Sequence, residues 1–166
     1  MAASTDTADF LKNVRLFKHI EEPELGALGA SLRERALRKG QVLFREGDGG
    51  EEMFIVRRGS IVISKGVKDR VEQVLARIGP GDFFGEMALF DRSPRSATVQ
   101  ADSESILLVL DRDGLDTLTV NSPRAAAAFF HALVQVFIER LRASGDLVAE
   151  VTRWGLEATG LDVESR

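Results

Sequence analysis

The spacing of apolar residues changes period twice along the chain. Between about Ala8 and Gly29, Phe10, Leu11, Val14, Leu16 and Phe17 recur near helical spacing. Glu21-Glu22-Pro23-Glu24 then opens a second helix with proline in its first turn. From about Leu32 to Leu110, short runs rich in β-branched and aromatic residues predict strands at Gln41–Phe44, Glu52–Arg57, Ile61–Ser64, Val71–Ile78, Ser96–Gln100 and Ser105–Leu110. Gly40, Gly47, Gly59, Gly66, Gly79 and Gly81 punctuate them, as tight turns with positive φ require. Many short strands with regular glycine turns predict a sandwich or barrel. From Ser122 to about Trp154 the helical period returns, with Ser122 as N-cap and Pro123 at the first helical position.

The last helix carries a seam of alternating four-and-three spacing: Phe130, Val134, Phe137, Leu141, Ser144, Val148 and Val151. Such a seam is buried either against the body of its own domain or against a second copy of the helix. Ser144 interrupts it with a hydroxyl, and the neighbouring Gly145 weakens the helix by up to ~1 kcal/mol relative to alanine. The expected organisation is therefore a flexible N-terminus over 1–9, helices over 10–31, a barrel over 32–110, C-terminal helices over 111–154 and a polar tail over 155–166.

Composition narrows the function. The 166 residues include 44% apolar and 29% charged side chains, ordinary for a globular domain, with a net charge of −4. Basic residues at Arg33, Arg35, Arg38, Lys39, Arg57 and Arg58 are interleaved with acidic ones, so no basic face for DNA binding is expected. Apolar runs fall short of the ~20 residues that cross a bilayer, the N-terminus does not read as a secretory signal, and cysteine is absent. A cytoplasmic location is the expectation. Histidine occurs only at His19 and His131, both in predicted helices, which argues against a metal-dependent barrel enzyme. No serine or cysteine nucleophile has an evident base, so the chain is read as a non-enzyme without metal or cofactor.

The chemistry concentrates in Gly79–Val99, GPGDFFGEMALFDRSPRSATV. Glycines at 79, 81 and 85 let backbone approach a ligand, and Glu86–Phe90 can form a helical turn whose first N–H groups attract an anion. Arg95 adds a fixed charge and forked donors, and Ser96 a hydroxyl. Without a lysine-bearing glycine loop, a phosphodiester fits better than a triphosphate. A carboxylate at Glu86 suits a ribose 2′-hydroxyl beside that phosphate. On the residues alone, Glu86 and Arg95 also read as a helix-start carboxylate and its surface partner.

The segment resembles the phosphate-binding cassette of the cyclic nucleotide-binding domain family. Phe84-Gly85-Glu86-Met87-Ala88-Leu89 and Arg95-Ser96-Ala97-Thr98-Val99 carry the likeness. Gly40, Phe44, Glu46-Gly47-Asp48, Phe54-Ile55-Val56, Gly59 and Gly79–Asp82 extend it across roughly residues 10 to 150. The resemblance implies an α+β fold: an antiparallel β-roll or jelly-roll barrel, the cassette at 83–99, N-terminal helices and a long C-terminal helix. Gly85, Met87 and Ala88 would belong to the phosphate-binding turn, with amides of Gly85 and Ala88 as donors. Glu86 would hold the 2′-hydroxyl, Arg95 the exocyclic phosphate oxygens, and Ser96 would support them. Leu75 matches a base-facing strand position, and Arg140 and Ser144 are candidates for helix contacts to the base.

The implied ligand is cAMP, with cGMP second because Ser96 stands where a threonine hydroxyl favours guanine. The implied action is a switch of the C-terminal helix read by an unidentified partner protein. The tail after the long helix is too short for a helix-turn-helix domain, so no DNA binding by this chain is expected. A homodimer joined through the 125–154 helix is expected; the alternatives in function are a dimeric protein-interaction module with a vestigial pocket and a binder of another cyclic (di)nucleotide.

Overall fold

A computed structural model describes residues 2–67 and 71–158. The chain divides into two units, Met1–Phe129 and Phe130–Arg166. In the first, helix α1 (Ala2–Leu11), a 3-10 turn (Arg15–Phe17) and helix α2 (Glu22–Ser31) precede eight strands. These are β1 (Arg33–Leu37), β2 (Val42–Phe44), β3 (Glu52–Arg58), β4 (Ile61–Val67), β5 (Val71–Ile78), β6 (Phe83–Phe84), β7 (Thr98–Ala101) and β8 (Ser105–Asp111). Helix α3 (Arg112–Asn121) follows, and α4 (Pro123–Ala158) continues into the second unit.

The strands form two antiparallel four-stranded sheets, ordered β1-β8-β3-β6 and β2-β7-β4-β5. Each late strand is inserted between two early ones, β8 between β1 and β3 and β7 between β2 and β4. The chain is thus wound as a jelly roll, with the late strands paired internally and β1, β6, β2 and β5 at the edges. Alternation along each strand turns Phe54, Val56, Ile61, Val99, Leu107 and Val109 into one buried cluster. Phe44, Phe54 and Phe84 meet inside it, with ring centroids 5.3 to 6.2 Å apart.

The predicted strands are all present, five with shifted ends and Val71–Ile78 as expected, with two additions. β1 escaped the pattern because four of its five residues are exposed and three are charged, so no apolar alternation marks it. β6 has only two residues, too few to show a period. The strand expected to start at Ser96 starts at Thr98. Gly66 lies within β4, and neither it nor Gly79 has the positive φ expected of it; Gly40, Gly47, Gly59, Gly81 and Gly85 do.

The N-terminus also differs from expectation. Residues 2–9, expected to be flexible, belong to α1. Arg57 of β3 holds that helix through Asp6 and Thr7 while also pairing with Glu34 of β1. Leu11, Leu25 and Leu28 are buried on α1 and α2. Ser122 stands between α3 and α4 as predicted: its carbonyl accepts from Ala126, and Pro123 opens α4. Phe129 stacks on Phe17 at 5.7 Å, closing the first unit.

In the second unit α4 runs on from Phe130. Its apolar seam residues Leu141, Val148 and Val151 are exposed, Leu141 at 75%, as is Trp154 at 74%. The polar tail expected over 155–166 is helical as far as Ala158, and the remainder lies outside the described residues.

Candidate functional site

Two turns and one pair of strands build the cradle. Gly81, at φ 89°, donates to the Val56 carbonyl at 2.9 Å, while Asp82 accepts from Gly79 and Val56. The chain is thereby laid onto β3 as β6, with Phe84 opposite Phe54. It then turns at Gly85, whose φ of 75° and ψ of 9° lie in the left-handed region that favours glycine. Glu86–Leu89 follows as one 3-10 turn, the short helical turn expected from the sequence.

Within that turn Glu86 is 3% exposed, and Ala88 and Leu89 are also buried, whereas Met87 points to solvent. The Ala88 amide, expected to serve an anion, donates to the Gly85 carbonyl at 3.1 Å. The first amides of a helical turn have no partner within it, so the positive end of the turn still opens at Gly85.

The loop from Phe90 bends at Asp91, whose carboxyl is held below its usual range by hydrogen bonds from Ser93. It returns at Arg95, whose backbone is locked to the turn before β3. Arg95 N–H donates to the Asp48 carbonyl at 2.7 Å, and its carbonyl accepts from Gly47 at 2.8 Å.

The Arg95 side chain lies inward and is only 7% exposed. Its Nη1 donates to the Glu52 carbonyl at 2.9 Å and reaches the Gly85 carbonyl at 3.5 Å. The guanidinium carbon sits 4.2 Å from the Phe44 ring centroid. Nε is buried without a hydrogen-bond partner among the described residues. Burial pushes the Arg95 pKa down from its ordinary value, and the Glu52 carboxylate opposes that shift. The group is therefore a buried cation with donor capacity to spare, which suits an oxyanion that can enter and satisfy it.

Of the predicted site residues, the structure brings Gly85, Glu86, Ala88 and Arg95 to one buried turn and its facing loop. Ser96 follows Arg95 and is exposed. Leu75 lies on β5 at a register shift, where Ala76 pairs with Ile63 and Val74 with Ser64, leaving Leu75 unmatched and 53% exposed. Arg140 and Ser144 lie on α4 in the second unit, where the Ser144 hydroxyl donates to the Arg140 carbonyl at 2.9 Å.

Sequence reasoning gave no role to the Glu52 carbonyl, because backbone acceptors leave no trace in residue type. Nor did it assign Phe44 or Gly50 to the site, although the Gly49-Gly50 doublet follows the turn that receives Arg95. A separate groove of about 290 Å³ lies over Val62, Ser64, Val74 and Gln100 and contains no cradle residue.

Among the described residues no group of histidines, cysteines and carboxylates could hold a metal ion. None of the described helices is long and apolar enough to cross a membrane.

Comparison with known proteins places this geometry. The family model of the cyclic nucleotide-binding domain matches residues 34–122. A crystal structure of a cyclic nucleotide-binding domain from Methylobacillus flagellatus shares the fold with a TM-score of 0.77 at 27% identity, covering 89% of this chain and 85% of that one. The CRP-like cAMP-activated global transcriptional regulator of Mycobacterium tuberculosis is 27% identical over 143 residues, 86% of this chain and 62% of the regulator. A solved cAMP-binding acyltransferase from Mycobacterium smegmatis has a TM-score of 0.65 at 32% identity, with coverage of 86% and 43%. The chain thus spans less than two thirds of the regulator and less than half of the acyltransferase chain. With the family model covering more than half of its residues, and the roll and the glycine turn built as described, this chain belongs to the cyclic nucleotide-binding domain family.

Proposed function

We propose that the chain is a cytoplasmic regulatory sensor that takes up cAMP, and less readily cGMP, in the Gly85–Arg95 cradle and passes the event through α4 to a partner protein. The observation that carries this reading is Arg95: a buried guanidinium with an unsatisfied Nε, set beside a left-handed glycine turn. A phosphodiester supplies the missing acceptor, and such charge-assisted hydrogen bonds contribute roughly 1.5–3 kcal/mol. The buried Glu86 carboxylate then accepts from the ribose 2′-hydroxyl, and Ser96 supports the phosphate. Leu75 meets the base, and Arg140 and Ser144 supply the contacts from α4.

The chain's own role is binding. The similarity to the acyltransferase spans 43% of that chain.

Parallel calorimetric titrations with cAMP, cGMP, a cyclic dinucleotide and 5′-AMP test the reading. Saturable heat with cAMP, weaker with cGMP and absent with 5′-AMP, is the expected result. No heat with any cyclic nucleotide at high micromolar concentration would sink it.

The exposed seam of α4 favours a second, compatible reading in which two copies pair through the 125–154 helix. Sedimentation of the ligand-free and cAMP-saturated chain then gives a dimer; a monomer throughout rejects that pairing.

A further inference from the structure

The Arg95 guanidinium occupies a seat with three parts. Its face lies on the Phe44 ring at 4.2 Å, and Nη1 is tied to the Glu52 carbonyl at 2.9 Å. The third part is an absence. A Cβ at Gly50 would stand 2.4 Å from Nη2, 2.7 Å from Nε and 2.8 Å from the guanidinium carbon, closer than non-bonded atoms approach. Glycine at 50 is not required by its backbone, whose φ lies outside the left-handed region. The room it leaves is taken by the fork of Arg95.

We infer that Phe44 and Gly50 are positioning residues for phosphate capture: the ring sets the plane of the guanidinium, and the missing side chain leaves it room to lie there. A long arginine side chain has many rotamers, and ordering it only when the anion arrives would weaken binding. A fork already stacked on a ring and tied by one donor has lost that freedom beforehand. Nε, still without an acceptor, is left for the incoming phosphate. This inference rests on reading the cradle as a cyclic-nucleotide site.

The test is titration calorimetry with cAMP on the full chain and on Phe44→Leu, Phe44→Tyr and Gly50→Val. Phe44→Leu keeps an apolar side chain but removes the π face, and binding should weaken about 3- to 20-fold. Phe44→Tyr restores the face and should stay within about threefold of wild type. Gly50→Val displaces the guanidinium and should weaken binding about tenfold or more. The displaced atoms are the far end of a flexible side chain, so the backbone need not move. Unchanged affinity in Phe44→Leu, equal losses in the leucine and tyrosine variants, or wild-type affinity in Gly50→Val would each overturn the inference.

A second measurement needs no ligand. Phe44→Leu should lower the urea midpoint more in the wild-type background than in Arg95→Met, where no cation faces the ring. Equal shifts overturn the seat. A wild-type chain that binds no cyclic nucleotide overturns the functional reading instead, and the denaturation pair then decides the seat alone.

Discussion

The cradle and the distal part of α4 break the usual rule of burial in opposite directions. In the cradle, Glu86 and Arg95 are charged and buried; along α4 beyond Phe130, Leu141, Val148, Val151 and Trp154 are apolar and exposed. Burying a charge is costly unless other groups satisfy it, and leaving a large apolar side chain in water forfeits roughly 1.5–3 kcal/mol. A domain selected for stability alone would avoid both. The cradle's imbalance is electrostatic and local, and it suits a small anion. The helix's imbalance is apolar and spread over several turns, and it suits a protein surface.

That contrast can be broken from either side. The largest effect is expected from Arg95→Ala, which should weaken cAMP binding about a hundredfold in calorimetry, the scale of a lost charge-assisted fork. The same variant should leave sedimentation unchanged if the two regions serve different ligands. Next, the double change Leu141→Glu and Val148→Glu should weaken self-association by at least about thirtyfold in analytical ultracentrifugation, since two introduced charges on each copy would have to be desolvated in the pairing. Its cAMP affinity should fall no more than about threefold; a larger loss would mean that the seam also shapes the site.

Glu86→Ala should bind cAMP about tenfold more weakly, by loss of one hydrogen bond to a charged acceptor. Titration with 2′-deoxy-cAMP sharpens this: it should bind the wild type about tenfold more weakly than cAMP and bind Glu86→Ala no differently from cAMP. A full 2′-deoxy penalty retained in Glu86→Ala would remove the carboxylate from its ribose role. The smallest effect is expected at Leu75→Ser, about threefold in affinity, because a half-exposed side chain offers a base only part of its apolar surface.

What the residues alone conveyed was whatever depends on periodicity and on side-chain type. The helix–strand–helix order, six of the eight strands, the Ser122-Pro123 junction and the glycine turn before Glu86 are local properties, written in alternation and in turn glycines. β1 lay beyond that reading because an edge strand facing water carries Arg33, Glu34 and Arg35 with no apolar rhythm, and β6 because two residues have no period. The tertiary structure decided how Arg95 is held. Its partners come from Phe44 on β2, Gly50 before β3 and the carbonyl of Glu52, at sequence separations of 43 to 51 residues. A ring face, a carbonyl and a missing Cβ acquire meaning only when the roll brings them around one guanidinium, because spacing along a chain records nothing of distance across a sheet.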